Sequence, residues 1–210
     1  MTTDKYALFY DTETTGLPNW NEPSESEEQP HIVQLAALLV DVDTKKVIQG
    51  MDVIVQPEGW EIPKEVADIH GITTEYAIQM GIPEPVALQV FLKMWAVSGF
   101  RIAHNQTFDA RIIRIATKRY CDESVIDAWK AGAYKCTGLL AKPIMQMPPK
   151  GKFGYKMPKL SEAYQHFTGK EIQDAHTAMA DARACMDIFF AINGAACLHD
   201  EVVAMEKEVL

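Results

Sequence analysis

Two acids set two residues apart, Asp11 and Glu13, close the apolar run of YALFYDTETTGL at 6–17. Tyr6, Leu8, Phe9 and Tyr10 read as a buried strand, and alternate side chains of a strand share a face. Both carboxylates therefore look the same way. Side by side at the end of a core strand they repel each other and lose hydration, which favours a cation between them. Oxygen-only donors suit Mg2+ or Mn2+ better than zinc, which prefers Cys and His. Taken alone, the pair also fits a strand running into a polar turn of Thr12, Thr14, Thr15 and Gly16, with the acids in water.

Two later clusters carry the same chemistry. In IAHNQTFDAR at 102–111 a strand ends in His104 and Asn105, and the helix that follows holds Asp109 in its first turns. An acid there is also favoured by the helix dipole alone. In AHTAMADA at 175–182, His176 and Asp181 are five residues apart. Five helical steps turn a side chain by about 140°, so the two share a site only if His176 sits on the entry turn while Asp181 is helical.

DTETTGL, HNQTFDAR and HTAMADA match, in this order, the three exonuclease motifs of the DEDDh group of 3′ to 5′ exonucleases, and the chain resembles that DnaQ-like proofreading superfamily over roughly 6–192. The resemblance implies that Asp11, Glu13, Asp109 and Asp181 bind two Mg2+ or Mn2+ ions and that His176 is the general base. Water would be the nucleophile and nucleoside 5′-monophosphates the product. An imidazole of ordinary basicity, near about 6.5, accepts a proton at neutral pH. Thr12, Thr14 and the amides around Gly16 would hold the terminal sugar and phosphate, Leu17 is similar to an apolar wedge against the last base, and His104, Asn105 and Phe108 complete the expected substrate contacts. The spacing of Phe108 to Ile112 favours core packing for that ring.

Three features depart from the common pattern: Thr177 stands where many members have Asp, an acidic segment at 19–30 follows the first motif, and the connection at 130–159 is long and lysine-rich. The expected substrate is the 3′ end of single-stranded DNA, because TETTGL resembles the proofreading branch. The alternatives are an exoribonuclease that trims oligoribonucleotides, or a nucleic-acid-binding module without turnover. A proofreading role would need a polymerase or another replication or repair partner on a separate chain.

The elements that must position these residues follow from pattern and composition. With 210 residues and 48% hydrophobic content the chain suits one domain. The expected fold is α/β, an RNase H-like mixed five-stranded sheet flanked by helices. Strands are expected at 32–42, 47–55 and 100–103, helices at 84–97, 106–119, 160–167 and 175–192, and a C-terminal helix at about 195–209 after a stop at Asn193 and Gly194. Residues 136–158 read as a loop, and 19–30 as an exposed, mobile one.

The net charge of −9 is unevenly spread: Glu22, Glu25, Glu27 and Glu28 crowd 19–30, whereas 129–161 holds seven lysines and no acid. Lys150, Lys152 and Lys156 are expected to meet the substrate strand, with Phe153 or Tyr155 stacking on it. No apolar run approaches the ~20 residues of a membrane span, the N-terminus lacks the pattern of a secretory signal, and the four cysteines form no CxxC pair. A cytoplasmic protein with reduced thiols and no membrane contact is the expectation.

Overall fold

The computed structural model describes residues 5–148 and 154–208, with side chains through 194. Six strands form one mixed sheet rather than the five expected: β1 (Tyr6–Thr14), β2 (Ile32–Asp41), β3 (Lys46–Gln56), β4 (Ile82–Pro83), β5 (Phe100–Ala103) and β6 (Tyr134–Cys136). Their order across the sheet is β4-β3-β2-β1-β5-β6. β1 lies at the centre, antiparallel to β2 and parallel to β5, and β6 extends the sheet parallel to β5. The two strands that the sequence hides, β4 and β6, have two and three residues. That is too short for alternation to register.

The sheet is covered on both faces, which is why β2 is buried along its whole length. One face packs on α3 (Glu84–Ala96), α4 (Gln106–Tyr120) and α5 (Glu123–Ala131), through Leu8, Tyr10, Phe91, Ile112 and Trp129. Trp129 is fully buried and satisfies its indole by donating to the Ala110 carbonyl at 3.1 Å. The other face packs on α8 (Ala178–Glu208), where Ala7, Phe9, Val40 and Ile102 meet Cys185 and Phe189. The rings of Phe9 and Phe189 meet edge to face, 5.5 Å between centroids.

Two short helices, α1 (Lys64–His70) and α2 (Thr74–Met80), follow the hairpin. Gly71 ends α1 at φ 77°, and the Thr73 hydroxyl caps α2 by accepting from the Tyr76 amide. Gly81 closes α2 so tightly against β3 that an added Cβ would lie 2.5 Å from the Gln56 nitrogen. Two expectations from composition are corrected here. Residues 136–158 are not all loop, because α6 (Thr137–Met145) forms within them and carries Pro143 inside it. The chain also runs through Asn193 and Gly194 without a break, so α8 replaces two separate helices; the Asn193 side chain donates back to the Phe189 carbonyl at 2.8 Å and continues the helical pattern. Between them, α7 (Leu160–Thr168) ends at Gly169, φ 71°. Lys150, Lys152, Phe153 and Val209 lie outside the described residues.

Candidate active site

The alternation of β1 decides where its polar end points. Ala7 and Phe9 face α8, and the same parity carries Asp11 and Glu13 to that face. Leu8 and Tyr10 face α3, α4 and α5, and Thr12 follows them. The first turn of α8 supplies Asp181, and carboxylate oxygens of Asp11, Glu13 and Asp181 lie within 4.8 Å of one another. Asp109 approaches from α4, on the opposite side of the strand, and is only 2% exposed. Thr12 ties it to the cluster: its backbone N–H and its hydroxyl both donate to Asp109 Oδ1, at 3.1 and 2.8 Å.

Crowding and burial make this cluster a reluctant anion. Burial, and then Asp109, Asp181 and Glu13, push the Asp11 carboxyl well above the usual range. Burial, reinforced by Asp181 and Asp109, raises Glu13 to about 8. Asp109 is raised to about 7 by burial, against the pull of the Thr12 donors. Burial also raises Asp181, with His176 pulling the other way. Among the described residues the Lys and Arg ion pairs engage other acids, and the buried Asp181 Oδ1 has no hydrogen-bond partner. Converging oxygens with an orphaned lone pair fit a hard divalent cation.

His176 is exposed on the turn before α8, at φ 70°, two residues after Asp174 at φ 55°. Left-handed backbone is uncommon outside glycine, although Asp and His adopt it more readily than most residues. This turn gives His176 and Asp181 the turn-plus-helix arrangement that their spacing requires. Gln34, which the sequence did not single out, anchors it. Gln34 lies opposite Glu13 in the β1–β2 register, its Oε1 accepts from the Ala178 amide at 3.1 Å, and its Nε2 donates to Asp52 at 2.7 Å. One buried amide thus fixes the start of α8 to the strand beside Glu13.

The residues expected to touch substrate divide into two groups. Leu17 is 82% exposed, and Asn105, at φ 58° before α4, is exposed as well. Gly16 is half-buried. The other side chains are committed inside the protein: Thr12 to Asp109, Thr14 to the Gly16 carbonyl at 2.7 Å, and Phe108 to the core. His104 bridges the Thr137 hydroxyl at 3.0 Å and the Pro158 carbonyl at 2.9 Å, so both ring nitrogens hold the 136–158 segment in place. Lys156 is paired with Glu162 at 2.7 Å instead of standing free for a strand, and Tyr155 is exposed.

The acidic segment at 19–30 is also not the loose loop its composition suggests. Gln29 is buried and cross-links it, donating to the carbonyls of Asn19, Glu22 and Pro23 and accepting from the Asn19 amide. From α4, Arg111 donates to the Glu22 carbonyl, Arg114 to the Ser24 hydroxyl, and Arg119 to the carbonyls of Gln29 and Pro30. Arginines here bind backbone carbonyls and one serine hydroxyl rather than the glutamates. No composition signal reveals such a clamp.

Among known proteins the chain is similar to DNA polymerase III subunit epsilon of Treponema pallidum (strain Nichols), 25% identical over 184 residues, which is 86% of this chain and 73% of that protein. In fold it is similar to exonuclease I, with a TM-score of 0.72 at 19% identity over 91% of this chain. It is likewise similar to the zinc-bound complex of E. coli exonuclease I with single-stranded DNA, with a TM-score of 0.72 at 21% identity over 96% of this chain. This chain spans 41% and 43% of those two exonuclease I chains. A family model described as Exonuclease matches residues 8–189, a stretch that contains all four acids and His176. By that match over most of its length, the chain belongs to the Exonuclease family, in its DnaQ-like group.

Proposed function

We propose that this protein is a divalent-metal-dependent 3′ to 5′ exonuclease that removes nucleoside 5′-monophosphates from single-stranded DNA. The observation that carries this reading is the convergence of Asp11, Glu13 and Asp181 within 4.8 Å, with Asp109 tied to the same strand end by Thr12. The four carboxylates would hold two Mg2+ or Mn2+ ions, whose charge, when bound, offsets the negative charge that builds on the phosphoryl oxygens.

The chain's own residues supply the rest. His176, exposed on its turn beside Asp181, accepts the proton of the attacking water as the new P–O bond forms. The bond from phosphorus to the 3′ oxygen of the preceding nucleotide breaks, and that oxygen is protonated from solvent. Leu17, exposed three residues beyond Thr14, presents an apolar edge to the terminal base, and Gly16 and Asn105 leave backbone and amide groups open to the sugar and phosphate.

Deoxyribose is preferred in this reading because the relative matched over most of its length is a subunit of a DNA polymerase and because exonuclease I has been seen with dT and dA oligonucleotides. A polymerase or repair partner on another chain belongs to the same proposal. Action in the cytoplasm accords with Cys121, Cys136 and Cys185 being free thiols.

The test uses 5′-labelled strands of DNA and RNA of one sequence with Mg2+, Mn2+ or EDTA. A ladder growing from the 3′ end of DNA in the presence of metal is the expected result. Full-length strand under every condition would contradict it, and a ladder on RNA alone would move the substrate to ribonucleotides.

A further inference from the structure

A second charged cavity, of about 360 Å³, lies on the other side of α4 from the acids. Its walls include Arg101, Arg111, Arg114 and Lys130 together with the exposed rings of Trp20 and Tyr134, and no carboxylate among the described residues lines it. Four cations around one hollow are unexpected in a chain of net charge −9.

Most of these charges are met only by neutral groups. Arg101 is 3% exposed, stacks on Trp129 with its guanidinium carbon 3.8 Å from the ring centroid, and donates to the Gly132 carbonyl at 3.2 Å. Its Nε is buried without a partner. Gly132 is required for that approach, since an added Cβ would lie 2.7 Å from the guanidinium. Arg111 and Arg114 donate to a carbonyl and a hydroxyl of the 19–30 loop, and the Nε of Arg111 is a second buried orphan. Burial and the neighbouring Arg114 lower the Arg111 pKa, with Glu25 offsetting this in part. The loop clamp thus holds like charges together, as β1 and α8 hold like charges in the acidic cleft. Among the described residues, Lys130 alone of the four has an ion pair, with exposed Asp127 at 3.6 Å.

We propose that this pocket is a second subsite for the substrate strand, taking a phosphodiester among Arg111, Arg114 and Lys130 and stacking a base on the ring of Trp20 or Tyr134. Cations interleaved with exposed aromatic rings are what binds single strands without reading their sequence. The position suits a nucleotide on the 5′ side of the one being removed. Asp109 faces the acids, whereas Arg111, two residues on, is turned by about 200° to the far side of the helix. Leu17, three residues past the end of the strand that carries Asp11 and Glu13, and Trp20 at the pocket are three residues apart, a span of at most about 11 Å. The subsite rests on the exonuclease function proposed for the acidic cleft, but binding at it requires no turnover.

The experiment measures fluorescence anisotropy of labelled dT16 in EDTA across a salt series, for the wild-type protein, Trp20→Ala and Lys130→Gln. Lys130 lies outside the 19–30 loop, and Trp20, which lies in it with its ring 5.8 Å from the Arg111 guanidinium, makes none of the hydrogen bonds that clamp it; melting curves for both variants test that they fold. Loss of a stacking platform is expected to weaken dT16 binding at least about fivefold in Trp20→Ala. Loss of one phosphate contact is expected to lower the slope of log affinity against log salt by about 0.7 in Lys130→Gln. No binding of dT16 by the wild-type protein, or equal affinity and slope in all three proteins, would overturn the subsite. So would Lys130-dependent binding of a labelled hexaglutamate peptide with dT16 binding unaffected, which would reassign the pocket to an acidic peptide. Intact dT16 binding with no shortening of the strand in Mg2+ would instead count against the exonuclease function alone.

Discussion

Thr12 donates twice to the same oxygen of Asp109, from its amide at 3.1 Å and its hydroxyl at 2.8 Å, across a separation of 97 residues. This pair joins the two faces of β1, since Asp11 and Glu13 look toward α8 while Asp109 comes from α4. It also sets the charge of Asp109, because both donors favour the ionised carboxylate against burial. Thr12→Val keeps the amide and removes the hydroxyl, so Asp109 holds its proton to higher pH. Since proton and cation compete for the same oxygens, Mn2+ affinity measured by calorimetry should fall several-fold at pH 7 and recover by pH 9. Thr12→Ser should restore it throughout.

The raised carboxyl groups give the metal-free protein an inverted stability profile. Each acid's folded pKa lies above its unfolded value of about 4, with Asp109 at about 7 and Glu13 at about 8. Between those values the folded state binds more protons than the unfolded state, so stability falls as pH rises from about 4 to about 8. In EDTA the melting temperature should therefore drop across this window, and Mg2+ or Mn2+ should restore it most at the alkaline end. Asp11→Asn, which removes a repelling charge, should raise the metal-free melting temperature at pH 8 by about 2–4 °C for each kcal/mol relieved. A flat profile in EDTA would count against a crowded acid cluster.

His176 stands at φ 70° on an exposed turn, supported by no helix of its own. A general base contributes about 10²- to 10⁴-fold to rate. His176→Ala should lower kcat on single-stranded DNA by that order and leave KM within about threefold. A variant whose KM rises while kcat is kept would make His176 a binding residue.

Part of this site is legible in the amino-acid sequence. Asp11 and Glu13 share a face because a strand alternates, and the five-residue gap from His176 to Asp181 allows one solution, a turn followed by a helix. What stayed hidden depends on contacts distant in sequence. Gln34 looks like an ordinary polar residue of an apolar strand until α8 is seen to start on its amide. Thr12 and His104 carry the marks of substrate ligands, yet their partners lie 97, 33 and 54 residues away inside the protein. Acidic composition made 19–30 look loose because composition counts charges, whereas the arginines of α4 hold its carbonyls and the Ser24 hydroxyl. The helix through Asn193 and Gly194 shows that two poor helix formers, at about 1 kcal/mol or less each, do not by themselves stop a helix.

The clamp on 19–30 has a measurable weight. Gln29→Ala removes a buried amide whose two N–H protons are shared among the carbonyls of Asn19, Glu22 and Pro23 and whose oxygen accepts from the Asn19 amide, the equivalent of about three hydrogen bonds at a net value of about 1 kcal/mol each. Urea unfolding should show a loss of about 2–4 kcal/mol, and a glutamate-specific protease should cut at Glu22, Glu25, Glu27 or Glu28 much faster than in the wild-type protein. Resistance equal to the wild type would mean that the arginines of α4 suffice without Gln29.

The central claim is that three separate elements bring their acids together to hold divalent cations. An anomalous difference map from crystals soaked in Mn2+ addresses it directly. The account predicts manganese peaks at about 2.0–2.2 Å from carboxylate oxygens of Asp11, Glu13 and Asp181, with Asp109 completing the shell. A map with no peak among these four side chains, in crystals soaked at pH 9, would contradict it.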